Sequence, residues 1–202
     1  MPVVAVKTAP NRRNRQYEKR LDSILRAASM VMAKDGFEGA SVRKVAAEAR
    51  IGISGIYYYF KSKDEMLFAL QENTFSLLVD NLAERLKKTG SSREKLKAII
   101  DNHFHFFSEH MDDLKVCSYE IESLSGGYFN DVLKIRRRYF NMVKEVVAEN
   151  MPPESKMNSG LAALFLFGSL NWIFMWYDPK RNGDIDILSR QLMKIYLEGI
   201  AT

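Results

Sequence analysis

The sequence predicts an all-α protein: an N-terminal three-helix unit containing a helix-turn-helix, then a helical bundle, about nine helices in all. Three observations carry this. Apolar residues recur at helical spacing along most of the 202 residues. No segment alternates with a period of two, so no sheet is expected. Capping and breaking residues punctuate the chain at helix-length intervals.

Residues 1–14, with Pro2, Pro10 and Arg12-Arg13, read as a flexible basic arm. The first helix is expected over about 15–34 on the stripe Leu21, Ile24, Leu25, Ala28, Val31 and Met32, with Gly36 placed to stop it. Ser41 is the N-cap expected for a short helix over 42–49. Arg50-Ile51-Gly52 then turns the chain into a second short helix over 53–59. Ser62 with Glu65 predicts a capping box for a helix over 63–88. Further helices are expected over 92–109, 112–123, 128–150, 156–177 and 184–200, separated by breaks rich in Gly, Pro and Asp. The organisation expected is an arm (1–14), a helix-turn-helix domain (15–62) and a larger body (63–202).

Composition narrows the function classes. No apolar run reaches the roughly 18 residues of a membrane span, so no membrane partner is expected. The first ten residues hold no apolar block with a cleavage site, and the lone Cys117 excludes an internal disulfide. Both favour the cytoplasm. There is no phosphate loop, nucleophile elbow or triad pattern, so neither an enzyme nor a cofactor is expected. His103 and His110 share a helix face while His105 points elsewhere; without paired Cys or a carboxylate cluster, no metal is expected. Residues 1–63 carry 13 Lys or Arg against 5 Asp or Glu; the remainder carries 17 against 20. A basic head on a mildly acidic body favours a polyanion, although charge alone leaves nucleic acid, an acidic membrane and a plain solvated surface all open.

The two short helices choose among these. A helix reads a major groove only when a second helix braces it across the backbone. Ala46 supplies the small residue at the crossing. Val42, Val45, Ala49, Ile51 and Ile56 supply apolar contacts that close a core with Leu25 and Ala28. The other faces are then free. Ser41 and the first amides of its helix suit a phosphate, and Arg43 reaches out from the same turn. The second short helix leads with Ile53, Ser54, Gly55 and Tyr58, Gly55 allowing close backbone approach. Lys63 suits a backbone phosphate, and Arg12 and Arg13 an adjacent groove. For Tyr57, Tyr58 and Tyr59, aromatic core packing competes with DNA contact.

Val45-Ala46-Ala47-Glu48-Ala49-Arg50-Ile51, then Ile56-Tyr57-Tyr58-Tyr59-Phe60-Lys61-Ser62-Lys63, resembles the signature of TetR-type transcriptional regulators, and Ala27-Ala28 and Gly36-Phe37 extend it upstream. The resemblance covers residues about 20–68. It implies a homodimeric DNA-binding regulator, a repressor more readily than an activator, on a pseudo-palindromic double-stranded operator. It also implies phosphate contacts at Tyr57, Tyr59 and Lys63, and base-edge contacts at Ile53, Ser54, Gly55 and Tyr58. Arg50 departs from the pattern, standing where the family has Gly in a turn that needs positive φ. The turn is therefore expected to shift, with Gly52 the residue available to absorb it. Gly52 itself stands where the family has a capping Ser.

The body is rich in aromatic residues. Each is more simply core, yet together they allow a pocket between helices. The expected lining is Phe104, Phe107, Tyr119, Tyr139, Phe140, Phe165 and Trp172, with Arg136 available to an anion. Leu164-Phe165 through Gly168-Ser169-Leu170-Asn171-Trp172, then Trp176-Tyr177-Asp178-Pro179, resembles the dimer helix of the family's fatty-acid and steroid-catabolism members. That resemblance implies dimerisation through the last helices and a small hydrophobic or acyl-CoA effector. Two readings compete: an enzyme on a helical bundle, and a helical adaptor that has lost operator recognition.

Overall fold

The computed structural model describes residues 12–200, with side chains from Asn14 to Glu198. The helices are α1 (Arg12–Gly39), α2 (Val42–Glu48), α3 (Ile53–Tyr59), α4 (Lys63–Leu86), α5 (Ser92–Glu109), α6 (Met111–Tyr119), α7 (Gly126–Glu149), α8 (Ser159–Asn171), α9 (Pro179–Asn182) and α10 (Ile185–Ile200). A 3-10 turn, Trp172–Met175, follows α8. There is no strand among the described residues. The all-α expectation holds.

The boundaries differ where local chemistry overrides the pattern. Arg12 and Arg13 open α1; their side chains, and residues 1–11 of the expected arm, lie outside the described residues. Gly36 leaves helical geometry (φ 72°, ψ 166°), yet one more turn follows it, closed by Ala40 N–H on the Gly36 carbonyl at 3.0 Å. The helix expected over 156–177 is shorter at both ends. Asn158 Oδ1 caps it by accepting from Gly160 and Leu161 N–H, and the chain tightens at Trp172. Asp178 caps the extra short helix that begins at Pro179, making ten among the described residues rather than about nine. Ser62 caps α4 by accepting from Glu65 N–H, but the Glu65 carboxylate accepts from Lys61 N–H at 2.6 Å, so the box is not reciprocal. The reciprocal box is Ser91 with Glu94, at the start of α5.

Two buried clusters organise the helices. The first gathers Ile24, Ala28 and Met32 of α1, Val45 and Ala46 of α2, and Ile56 of α3. Val42, Ala49 and Ile51 pack against it half-buried, as the spacing requires. It is not closed by the first three helices alone: Met66, Leu67 and Leu70 of α4, Val116 of α6 and Val132 of α7 complete it. The second cluster fills the bundle, where α4 runs against α7, and α5 packs on α4 and α10. The two short helices are thus seated directly on the bundle through shared apolar burial, worth roughly 25 cal/mol per Å².

The turn between α2 and α3 corrects the expectation of a shift. Arg50 itself takes the left-handed conformation (φ 52°), and Gly52 stays extended (φ −67°, ψ 152°) as the residue before α3. Arg50 N–H bonds the Ala47 carbonyl at 3.1 Å and Ile51 N–H the Ala46 carbonyl at 3.0 Å. Moving the turn to Gly52 would break both of these bonds at the end of α2. The hydrogen bonds therefore outweigh the strain of a side chain at positive φ, about 1–2 kcal/mol. Arg50→Gly is expected to raise unfolding stability by about 0.5–1 kcal/mol, the strain relieved less glycine's larger loss of chain entropy. Urea unfolding checks this, and a loss of stability would contradict the assignment of strain.

Candidate DNA-reading face and effector cavity

The outer side of the helix-turn-helix is open. On α3, Ile53, Ser54, Tyr57 and Tyr58 are exposed, Tyr58 at 74 % and Tyr57 at 56 %, while Ile56 faces inward and is fully buried. Gly55 is half-buried against Ile51; a Cβ there would lie 3.5 Å from Ile51 Cδ1, an ordinary contact. Ser41 is exposed and caps α2 by accepting from Lys44 N–H at 3.2 Å. Arg43 is exposed beside it. The neighbouring Lys44 is tied back to the Asp35 carboxylate (2.6 Å) and the Gly39 carbonyl (2.8 Å).

The three tyrosines separate in role. Tyr59 is half-buried, its ring 4.9 Å from that of Tyr17 and 5.1 Å from that of Tyr58. Tyr17 was not marked by the sequence pattern. It lies in an otherwise polar first stretch of α1, and only the fold brings it to α3. Lys63 also differs from expectation. Its ammonium donates to the Phe37 carbonyl at 2.6 Å and sits 4.0 Å over the Phe37 ring, with the Glu38 carboxylate at 4.0 Å. The end of α1 presents acceptors there, so the charge is held by α1 rather than directed outward.

Between the bundle helices lies a partly open cavity of about 400 Å³, walled by Phe75 of α4, His103 and Phe107 of α5, Leu114, Cys117 and Ser118 of α6, then Leu133, Arg136, Arg137, Tyr139 and Phe140 of α7, and Leu164, Phe167 and Asn171 of α8. The volume falls within the range usual for small-molecule sites. Phe107, Tyr139, Phe140 and Arg136 meet there as the sequence expects. The other four do not. Phe104 is buried in the bundle core. Tyr119 lies exposed at the end of α6, its ring 5.6 Å from that of Phe174. Phe165 and Trp172 point away, 76 % and 53 % exposed. With Leu161 and Gly168 they form an outward apolar stripe on α8, repeating every three or four residues. For Phe165, sequence cannot separate an outward from an inward position because α8 is apolar on nearly every side.

The cavity has distinct polar points. Arg136 is half-buried, donates to the Cys117 carbonyl at 2.9 Å and lies 4.9 Å over the Phe75 ring. Burial lowers its pKa from the ordinary guanidinium value, and no carboxylate lines the cavity. Burial, with Asp113 nearby, pushes the Cys117 thiol up to about 12, so it is neutral and poorly nucleophilic. His103 is buried with Nδ1 3.3 Å from Tyr139 Oη, and burial takes its pKa down to about 3. His105 and His110 instead pair with Asp186 (2.9 Å) and Asp113 (3.2 Å).

The cavity is connected to the reading head. Arg136 fastens α7 to α6. At the same C-terminal end of α6, the Glu120 carboxylate accepts from Phe37 N–H at 3.0 Å and its carbonyl from Gln71 Nε2 at 3.1 Å. A shift of α6 is therefore felt by both α1 and α4.

Because the folded pKa of His103 is depressed, its contribution to stability is complete above the unfolded value near 6.5. It falls as the unfolded chain gains a proton, between pH 6.5 and about 3. Tyr139, Cys117, Arg136 and Asn171 line the cavity with it; Asn171 favours the charged form, burial outweighs it, and no carboxylate among the described lining residues adds to it. The melting temperature is expected to drop on acidification from pH 7 to 4.5, and His103→Leu to flatten that slope; parallel slopes would show that His103 is not the group responsible.

Comparison with known proteins agrees with this geometry. Residues 24–70 match the family model for bacterial regulatory proteins of the tetR family, and residues 89–200 the model for a tetracyclin repressor-like C-terminal domain. The fatty acid metabolism regulator protein of Bacillus subtilis is 23 % identical over 190 residues, covering 92 % of this chain and 98 % of that one. The solved structure of FadR from Bacillus subtilis with stearoyl-CoA superposes with a TM-score of 0.71 at 23 % identity, over 89 % of this chain and 98 % of that one. That of AibR with isovaleryl coenzyme A and operator DNA gives 0.77 at 18 % identity, over 87 % and 97 %.

Proposed function

The chain belongs to the TetR family of bacterial transcription regulators, a non-enzymatic DNA-binding family, and on that premise we propose a homodimeric cytoplasmic repressor released from its operator by an acyl-CoA or a similar hydrophobic effector. The observation that carries this reading is the pairing of an exposed α3 face with an apolar cavity that shares α6 with the end of α1. Relatives described as a fatty acid regulator and as acyl-CoA complexes support the effector class. No helix among the described residues is long and apolar enough to cross a membrane.

In this reading Ile53, Ser54, Gly55 and Tyr58 meet base edges, and Ser41, Arg43 and Tyr57 meet phosphates. Two reading helices sit about 34 Å apart on successive major grooves. The α8 stripe of Leu161, Phe165 and Trp172 pairs with its symmetry mate, since an exposed apolar row of this size favours an interface. Effector binding displaces α6, and the Glu120–Phe37 bond passes the movement to α1. A ligand preferring the released state by about 1–3 kcal/mol changes operator affinity roughly 5- to 150-fold.

Fluorescence anisotropy with DNA from upstream of the gene, repeated with acyl-CoAs, tests the whole reading. Operator affinity that no acyl-CoA alters would sink the effector assignment, and absence of sequence-specific binding would sink the regulator assignment. Arg43→Ala is expected to weaken binding to all sequences alike and reduce the salt slope by about one. Phe165→Glu should give a monomer by sedimentation and abolish operator binding. Glu120→Ala should leave effector binding within about threefold while reducing effector-driven release.

A further inference from the structure

The cavity wall contains a buried polar atom without a partner. His103 Nε2 makes no hydrogen bond with any of the described residues. The Asn171 side chain of α8 stands beside the ring and favours its protonated form, an effect that burial outweighs, while no hydrogen bond of ordinary geometry joins it to Nε2. The remainder of the imidazole is firmly placed, with its centroid 4.8 Å from Phe107 and 6.2 Å from Phe167.

The Asn102 amide donates to the Leu78 carbonyl at 3.1 Å. The Tyr139 hydroxyl lies 3.3 Å from His103 Nδ1; in the tautomer where it donates there, the ring's own proton lies on Nε2. Burial keeps the imidazole neutral at physiological pH. The result is a single N–H donor on an apolar wall, a group whose desolvation is uncompensated until an acceptor meets it.

Position gives the acceptor its place on a ligand. Arg137 is exposed, Arg136 half-buried and His103 almost wholly buried, so the cavity runs from a cationic mouth to a neutral donor at depth. An anionic or thioester head meets the arginines. What reaches His103 is the body of the chain, where a saturated acyl group has no oxygen to offer. We propose that His103 is a specificity-determining residue that binds a carbonyl or hydroxyl oxygen carried along the effector's chain. The preferred effector is then an oxygenated acyl compound rather than a plain saturated one. This rests on the cavity being the effector site, as argued above.

Isothermal titration of the full-length protein with decanoyl-CoA, and with decanoyl-CoAs bearing an oxo or hydroxyl group at successive carbons, tests this. At least one oxygenated ligand is expected to bind about tenfold more tightly than decanoyl-CoA, the scale of one well-placed hydrogen bond. His103→Leu is expected to remove that preference, bringing the affinities of the oxygenated ligands and of decanoyl-CoA to within about twofold of one another. A flat series in the wild type, or a preference that survives His103→Leu, overturns the proposal. Should His103→Leu not fold, His103→Gln keeps an N–H donor and is expected to keep the preference; its loss there overturns the proposal. Binding of every ligand without discrimination defeats only this inference, whereas binding of none defeats the acyl reading beneath it as well.

Discussion

Phe37 N–H donates to the Glu120 carboxylate at 3.0 Å, while Phe37 C=O accepts from Lys63 Nζ at 2.6 Å and its ring lies under the same ammonium. One residue at the end of α1 therefore holds the C-terminal end of α6 and the first turn of α4 at once. Both bonds involve a charged partner, and such bonds are roughly twice as strong as neutral ones. The Gly36 break immediately before it frees this segment from the α1 ladder, so its N–H and C=O are available to other helices. Remove this junction and the two apolar clusters remain, but the orientation of α1 relative to α6 is set only by non-directional burial.

The junction explains which parts of the molecule sequence could reveal. Helix periodicity and capping residues are local, and they located α2 to α5 closely because Ser41, Ser62 and Ser91 each act within three residues. The buried set of the helix-turn-helix was legible for the same reason: Val45, Ala46 and Ile56 face inward on helices too short to have more than one apolar side. Tyr17 meeting Tyr59, Glu120 meeting Phe37 and Lys63 turning back on α1 are long-range pairings of polar or amphipathic residues. No spacing rule encodes those.

The candidate cavity was legible only by half, and the dividing line is physical. On α7 the apolar and polar sides are distinct, so Arg136, Tyr139 and Phe140 could be assigned a common face. On α8 nearly every position is apolar. Ala162, Leu166 and Leu170 pack inward, Leu164 and Phe167 reach the cavity, and Phe165 and Trp172 face out. Arg50 shows the opposite failure. Intrinsic preference argued against positive φ at that position, and two backbone hydrogen bonds at the end of α2 overruled it.

The cavity has a bearing on how long each molecule lasts. A protein with some 400 Å³ of interior space and an unmet buried donor is less robust empty than filled. Occupancy at a hundred times the dissociation constant adds about 2.7 kcal/mol of resistance to unfolding. Proteases that attack transiently opened chains would clear the empty form faster. On the proposed reading, the ligand would then set how many copies survive as well as where the regulator resides.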